Sequence, residues 1–156
     1  MSKLLNIFSS GIKMRLYFFK KLPTLFFWRI RVEELNRSQA KVSIPYCRRT
    51  KNPFRSIYFG ALAGAAELAT GLLALLATEG ENISMLVTGI RGEFYKKAKS
   101  KTYFVCTQGD AIVRAVEKAK LTGEGQSIEV LSKGYNTEGE LIAEFEFTWS
   151  FKSRKK

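Results

Sequence analysis

The chain has 156 residues, 46% of them hydrophobic and 26% charged, which fits one globular domain and excludes collagen-like, low-complexity and wholly disordered chains. It contains no histidine and only two cysteines, Cys47 and Cys106, which excludes histidine-based catalytic triads, histidine-ligated metals and a disulfide scaffold; we expect no metal and no cofactor. The net charge is +12, and residues 1–55 hold 13 basic but two acidic residues; no nucleic-acid-binding motif accompanies this charge, so no nucleic-acid partner is expected.

Residues 1–27 predict an amphipathic basic helix and a connector. The helix is expected near residues 3–21 and is ended by Pro23. Lysines and arginines interrupt the apolar residues too often for a membrane span or a signal peptide. Two interpretations remain: the helix packs on the domain or on a partner subunit, or it makes a weak contact with a membrane surface through its Phe and Leu side chains.

Residues 28–156 predict a single domain that ends in a short, frayed basic tail. Alternating apolar and polar residues indicate strands, and residues 110–121 predict a helix with Asp110 as its N-cap and Gly123 as its stop. The last strand has the clearest alternation, and a turn at 136–139 joins it to the strand before it. The predicted strands are 29–35, 40–46, 83–95, 102–107, 127–132 and 141–151.

The segment 57–78 is apolar and small on nearly all sides, which is typical of a helix buried in a core or in a membrane. The strands predicted after this segment need an element to pack against, so we expect an α+β fold in which a curved antiparallel sheet wraps around this central helix. A lone sheet leaves an exposed edge and face, which favours pairing with a second copy of the chain.

Glu67 is the one charged residue inside this apolar helix. Burial raises the pKa of a carboxyl group, and such a group suits a general base or a nucleophile. Thr70 lies one turn later and is expected to hydrogen-bond Glu67 or to orient a water molecule. Free backbone N–H groups at Tyr58, Phe59 and Gly60 could hold an oxyanion. The alternative is that Glu67 pairs with an arginine and only stabilises the fold or a dimer interface.

Asn52, Tyr58-Phe59-Gly60 and Glu67 together resemble the signature of the hotdog-fold thioesterases. Members related to the phenylacetate-pathway thioesterase carry Asn, then His-Gly-Gly six residues later, then Asp or Glu nine residues beyond; Tyr58 and Phe59 replace the His and the first Gly. The chain is also similar to a divergent hotdog branch of unknown function. The resemblance covers residues 28 to 152 and implies a hotdog fold, a homodimer or dimer of dimers, and a site at the subunit interface.

The resemblance also implies roles for individual residues. Glu67 would be the general base or nucleophile, the N–H of Phe59 with Gly60 beside it would bind the oxyanion, and Asn52 would position water or the thioester. The substrate would be an acyl-CoA or acyl-carrier thioester, bound with help from a further set of residues: Tyr58, Thr70, Lys96, Lys97 and Lys99. We therefore expect a cytoplasmic acyl-CoA thioesterase; the alternative is a non-catalytic acyl- or lipid-binding hotdog protein, and the lysines are otherwise a solvated surface.

Overall fold

The structure is a computed structural model that describes residues 2–154. In chain order its elements are α1 (Lys3–Phe8), α2 (Gly11–Lys21), α3 (Pro23–Phe27), β1 (Arg31–Leu35), β2 (Ala40–Ile44), α4 (Phe59–Thr78), β3 (Ile83–Phe94), β4 (Thr102–Cys106), α5 (Gly109–Thr122), β5 (Gln126–Tyr135) and β6 (Leu141–Ser153).

The six strands form one antiparallel sheet in the order β1-β2-β4-β5-β6-β3. The helix α4 packs across β2, β4 and β5, and twelve of its 20 residues are buried. By length and composition alone α4 could cross a membrane, but the rest of the chain buries 67% of its most apolar stretch. The predicted α+β architecture, a curved sheet around a central helix, is confirmed.

The alternation predicted for the last strand is confirmed from Ala143 onward. Phe145, Phe147, Trp149 and Phe151 are buried, whereas the residues between them are partly exposed. β6 continues to Ser153, so the predicted frayed tail does not begin at Lys152; residues 155 and 156 of that tail lie outside the described residues. β5 is also longer than predicted, because its pairing with β6 extends to Tyr135.

The predicted single helix over 3–21 is wrong, because α1 and α2 are separated at Ser9 and Ser10. The Ser10 hydroxyl accepts a hydrogen bond from the Lys13 N–H and so starts a new helix, as N-cap serines do. Pro23 follows the end of α2 and also begins α3, where a missing N–H costs nothing. Phe8, Met14, Phe18 and Leu25 from these helices join the same buried core as the sheet.

Three other boundaries differ from the prediction for local reasons. β1 begins at Arg31, since Arg29 adopts a left-handed φ of 57° and turns the chain. α4 begins at Phe59, because Ile57 pairs with Lys51 and Tyr58 is extended. The N-cap of α5 is Gln108 instead of Asp110, whereas Gly123 ends that helix with a φ of 71°, as predicted.

Candidate active site at the start of the central helix

A cavity of about 650 Å³ opens at the N-terminus of α4. The loop before α4 forms one side, the first turn of α4 forms the base, and the segment that follows β3 forms the other side. Five of the predicted site residues line this cavity: Asn52, Tyr58, Phe59, Lys96 and Lys97. The fold thus brings together residues that are up to 45 positions apart in the sequence.

Asn52 holds the loop that leads into α4. Its side-chain Oδ1 accepts hydrogen bonds from the N–H of Phe54 (3.0 Å) and from the N–H and hydroxyl of Ser56 (both 3.2 Å). The side-chain carbonyl is therefore occupied by the loop itself, as is common for asparagine in turns. Only the side-chain NH₂ group of Asn52 remains free to face a ligand.

The first two N–H groups of α4, at Phe59 and Gly60, have no acceptor among residues 2–154. Tyr58 is the N-cap and its side chain does not cap the helix. Its ring instead lies on Gly60, where an added Cβ would come within 2.5 Å of the Tyr58 Cε1. Two free backbone donors at the positive end of a helix dipole are suited to stabilising an oxyanion.

The segment after β3 supplies polar side chains to the rim of the cavity. Lys96 pairs with Glu140, and Lys97 is exposed. The Tyr95 hydroxyl donates a hydrogen bond of 2.9 Å to Glu144, and this bond raises the pKa of Tyr95 to about 12. Lys99 is exposed but does not line the cavity.

Glu67 lies two turns further along α4 and is only partly exposed. Its pKa is raised above the ordinary 4.5, and the cause is desolvation by burial. No lysine or arginine among residues 2–154 forms an ion pair with it, so an arginine partner within the chain is not observed. The carboxylate lies beside Gly71, where an added Cβ would be 3.1 Å from Glu67 Oε1 and 3.4 Å from the Trp149 ring.

Glu67 does not reach the cavity that Asn52 and Phe59 line. Glu67 lies eight positions after Phe59 in the helix, which corresponds to about 12 Å along the axis. The ring of Trp28 lies between them on Gly64, where an added Cβ would be 2.9 Å from Trp28 Cζ3. Within one chain, the Glu67 carboxylate and the helix N–H groups therefore do not line one shared cavity.

Thr70 is fully buried, and its hydroxyl already has two partners. It accepts a hydrogen bond of 2.9 Å from the Trp149 indole N–H and donates one of 2.9 Å to the backbone carbonyl of Glu67. The hydroxyl is thus not bonded to the Glu67 carboxylate. It joins β6 to the turn of α4 that carries Glu67.

Sequence reasoning missed Trp28 and Trp149, the two indole rings beside this part of α4. Trp149 could be placed on the inner face of β6 from the alternation, but its contact with Gly71 depends on where α4 crosses the sheet. Trp28 gave no sequence signal, because its position depends on the turn at Arg29. Among the described residues no cluster of three Cys, Asp or Glu side chains could hold a metal ion.

Solved structures with the same fold cover nearly the whole chain. PA5026 from Pseudomonas aeruginosa, a protein of unknown function called a "Probable Thioesterase", has a TM-score of 0.80 and 20% identity over 93% of this chain and 97% of its own. OLEI01261 from Chlorobaculum tepidum TLS, of unknown function, has a TM-score of 0.77 and 16% identity over 92% of this chain and 94% of its own. The thioesterase HI1161 from Haemophilus influenzae has a TM-score of 0.71 and 16% identity over 92% of this chain and 91% of its own.

These likenesses confirm the hotdog fold that the sequence resemblance implied. No curated protein sequence matches the chain. One family model, described as "Domain of unknown function (DUF4442)", matches residues 8–151 and includes both the sheet and most of the N-terminal helices. The chain therefore belongs to the DUF4442 family, and its fold is the hotdog fold.

Proposed function

We propose that this protein hydrolyses acyl thioesters, with coenzyme A or an acyl carrier protein as the carrier. The observation that carries the proposal is Glu67, a partly buried carboxylate with a raised pKa and without a basic partner among residues 2–154. A fold does not gain stability from such a group, because an unpaired buried charge is costly. The thioesterase name of a structural neighbour is consistent with this function.

In the proposed reaction Glu67 takes a proton from a water molecule, and the resulting hydroxide attacks the thioester carbonyl carbon. The oxygen of that carbonyl becomes negatively charged and is held by the N–H groups of Phe59 and Gly60. The C–S bond then breaks, and the sulfur leaves as a thiol with the proton that Glu67 held. The products are a carboxylic acid and a free thiol, and Glu67 returns to its ionised state.

This chemistry requires two chains, because Glu67 and the N–H groups are about 12 Å apart along one helix. We propose a homodimer in which Glu67 of one subunit meets the α4 N-terminus of the other. The edge of β3 is suited to the contact: among residues 2–154 β3 pairs only with β6, and Leu86, Ile90 and Phe94 are each more than half exposed. The opposite edge is less available, since Met14 Sδ accepts the Val32 N–H of β1.

The cavity rim supplies the proposed contacts to the substrate. The Asn52 NH₂ group can donate to the thioester or to water, and the rings of Tyr58 and Phe59 offer apolar walls. Lys96 and Lys97 at the rim, with Lys99 further out, can meet the phosphates of coenzyme A. Because its hydroxyl is engaged by Trp149, Thr70 positions the Glu67 turn instead of touching the substrate.

Hydrolysis of a panel of acyl-CoA esters tests the proposal. We expect the Glu67→Gln variant to lose about 10²- to 10⁴-fold in kcat. Glu117→Gln, which removes the same charge from an exposed site on α5, is the matched control and should keep wild-type rates. Equal rates for wild type and Glu67→Gln, or no hydrolysis of any ester by the wild type, would contradict the proposal.

A hybrid dimer tests the shared site. One subunit carries Glu67→Gln and the other carries Phe59→Pro, which removes one N–H group, and two different tags allow the hybrid to be purified. If each site takes its carboxylate from one chain and its N–H groups from the other, one of two sites is intact and the hybrid regains about half of the wild-type activity. A hybrid as inactive as both parents would exclude the shared site.

The second candidate is a non-catalytic acyl-binding protein. It is favoured by the 60% exposed Phe59 side chain, which stands beside the candidate oxyanion donors, and by the occupied carbonyl of Asn52. This candidate predicts that fatty acyl compounds raise the melting temperature and are retained unchanged. Release of free thiol from the same compounds would exclude it.

A further inference from the structure

Four arginines line a second cavity, together with Phe18, Phe26 and Ile30. Arg15 of α2, Arg29 and Arg31 at the start of the sheet, and Arg49 of the loop after β2 line a space of about 430 Å³. All four side chains are exposed. Their positions span 34 residues of sequence, so the fold, and not a local charge run, brings them together.

No acidic side chain neutralises this arginine cluster. None of the four arginines forms an ion pair with any residue from Ser2 to Arg154. Hydrogen bonds from Lys101 and Ser43 lower the pKa of Glu33, and Arg31 adds a smaller effect of its charge. Four like charges in one cavity repel each other, and an anion that enters the cavity relieves this repulsion.

Aromatic rings hold two of the guanidinium groups in place, and a turn fixes the backbone of a third arginine. Arg15 lies over the Phe26 ring at 5.6 Å, and Arg49 lies over the Phe27 ring at 5.3 Å. Arg29 has a left-handed φ of 57°, and its N–H bonds to the Phe26 carbonyl at 3.1 Å. Guanidinium groups positioned in this way are suited to binding phosphate oxygens.

An exposed apolar ridge lies next to the arginine cluster. α2 buries Met14 and Phe18, and its opposite face carries Ile12, Leu16 and Phe19, which are 75%, 55% and 61% exposed. Arg15 lies on this same outward face, and Phe19 contacts Phe26 with 5.4 Å between ring centres. Phe27 beside Arg49 is 53% exposed. The ridge and the cluster therefore form one continuous surface.

We propose that this surface binds an anionic phospholipid bilayer. The arginine cluster receives a headgroup phosphate, and Ile12, Leu16, Phe19 and Phe27 enter the boundary between headgroups and acyl chains. A positive cavity beside exposed aromatic and aliphatic side chains complements a bilayer surface, where phosphates lie directly above hydrocarbon. A soluble phosphate compound would use the arginines but would leave the apolar ridge in water. The inference does not depend on thioester hydrolysis.

Flotation of the full chain with vesicles tests the inference. We use phosphatidylcholine alone and phosphatidylcholine mixed with phosphatidic acid, whose headgroup is a phosphate monoester. We expect at least about tenfold tighter binding to the anionic vesicles, and an Arg15→Gln/Arg49→Gln variant should lose about tenfold of that affinity. Leu16→Ser/Phe19→Ser should lower binding while leaving the positive charge unchanged.

The matched control is Arg37→Gln/Arg114→Gln, which removes the same charge from exposed sites outside the cavity and should bind within about twofold of wild type. Equal losses in the two arginine variants would mean attraction by net charge only and would overturn the proposal. Thermal stabilisation by inorganic phosphate without vesicle binding would indicate a soluble ligand and would also overturn the proposal. Light scattering could also show a lower mass for Leu16→Ser/Phe19→Ser while its flotation stays unchanged. That result would mean that the ridge contacts a second copy of the chain, and it would overturn the proposal.

Discussion

The indole N–H of Trp149 donates a hydrogen bond of 2.9 Å to the hydroxyl of Thr70, 79 residues earlier in the chain. The pair is buried and links the inner face of β6 to the turn of α4 that carries Glu67. The orientation of the carboxylate relative to the sheet therefore depends on this bond.

Thr70→Val should destabilise the protein by about 1–3 kcal/mol, because it leaves the buried indole N–H without an acceptor. Thr70→Ser keeps the hydroxyl and should lose less stability than Thr70→Val. Chemical denaturation of both variants measures the difference. A larger loss in Thr70→Ser than in Thr70→Val would show that packing of the methyl group matters more than the hydrogen bond at this position.

The pKa of Glu67 predicts how stability depends on pH. Burial raises this pKa in the folded state, so the ionised form destabilises the fold at pH values above the raised pKa. As the pH falls towards 4.5, the ordinary value of this group, the folded state takes up its proton first and this destabilisation disappears. Glu67→Gln should therefore melt at a higher temperature than wild type at about pH 8, with a smaller difference at about pH 4.

Thermal melts of both proteins across this pH range check the prediction, with Glu117→Gln as the exposed control. A Glu67→Gln variant that is less stable than wild type at high pH would mean that the carboxylate has a stabilising partner, for example in a second subunit.

Phe59→Pro removes one candidate oxyanion donor without disturbing the helix. Phe59 is the first residue of α4, a position where proline is common. Tyr58, the residue before it, has φ −60° and ψ 134°, and this backbone conformation is compatible with a proline at position 59. Under the proposed function kcat should fall by about 10²- to 10³-fold. Phe59→Ala keeps the N–H group and should retain most of the activity; equal loss in both variants would instead assign the effect to the phenyl ring.

Gly109 at the start of α5 is required by close packing of two backbones. An added Cβ would come within 2.0 Å of the Arg37 carbonyl oxygen, so the loop between β1 and β2 would have to move. Gly109→Ala should cost about 1–3 kcal/mol or more. Gly11→Ala is the control, because no atom lies within 4 Å of its added Cβ; it should be neutral or stabilising by up to about 1 kcal/mol. Denaturant titration of both variants separates the two outcomes.

The sheet and its central helix could be predicted because their signals are local. Residues 141–151 alternate with a period of two, and residues 57–78 lack polar residues on almost every side. Both patterns depend only on which face of the element is buried, and the order of apolar and polar residues along the element indicates that face. The resemblance built on Asn52 and Glu67 then identified the fold.

The ends of several elements could not be predicted, because tertiary contacts decide them. Gln108 and not Asp110 is the N-cap of α5, and the side-chain Oε1 of Gln108 accepts the Leu131 N–H of β5 at 2.6 Å. Leu131 lies 23 residues after Gln108, so no local pattern indicates this bond.

The residues predicted for the candidate site form two groups, which lie in different places within one chain. The spacing placed Asn52, Tyr58 and Phe59 together, and Lys96 and Lys97 joined them across the cavity. Glu67 and Thr70 lie further along α4, next to the side chain of Trp149. Sequence spacing fixes distance along a helix, but it carries no information about a second subunit, and Trp28 could not be placed on Gly64 without the turn at Arg29.

Trp28 belongs to the segment that precedes the sheet, yet it covers α4 between the helix N-terminus and Glu67. The N-terminal segment thus forms part of the surroundings of the candidate site, although none of the proposed reacting groups comes from it.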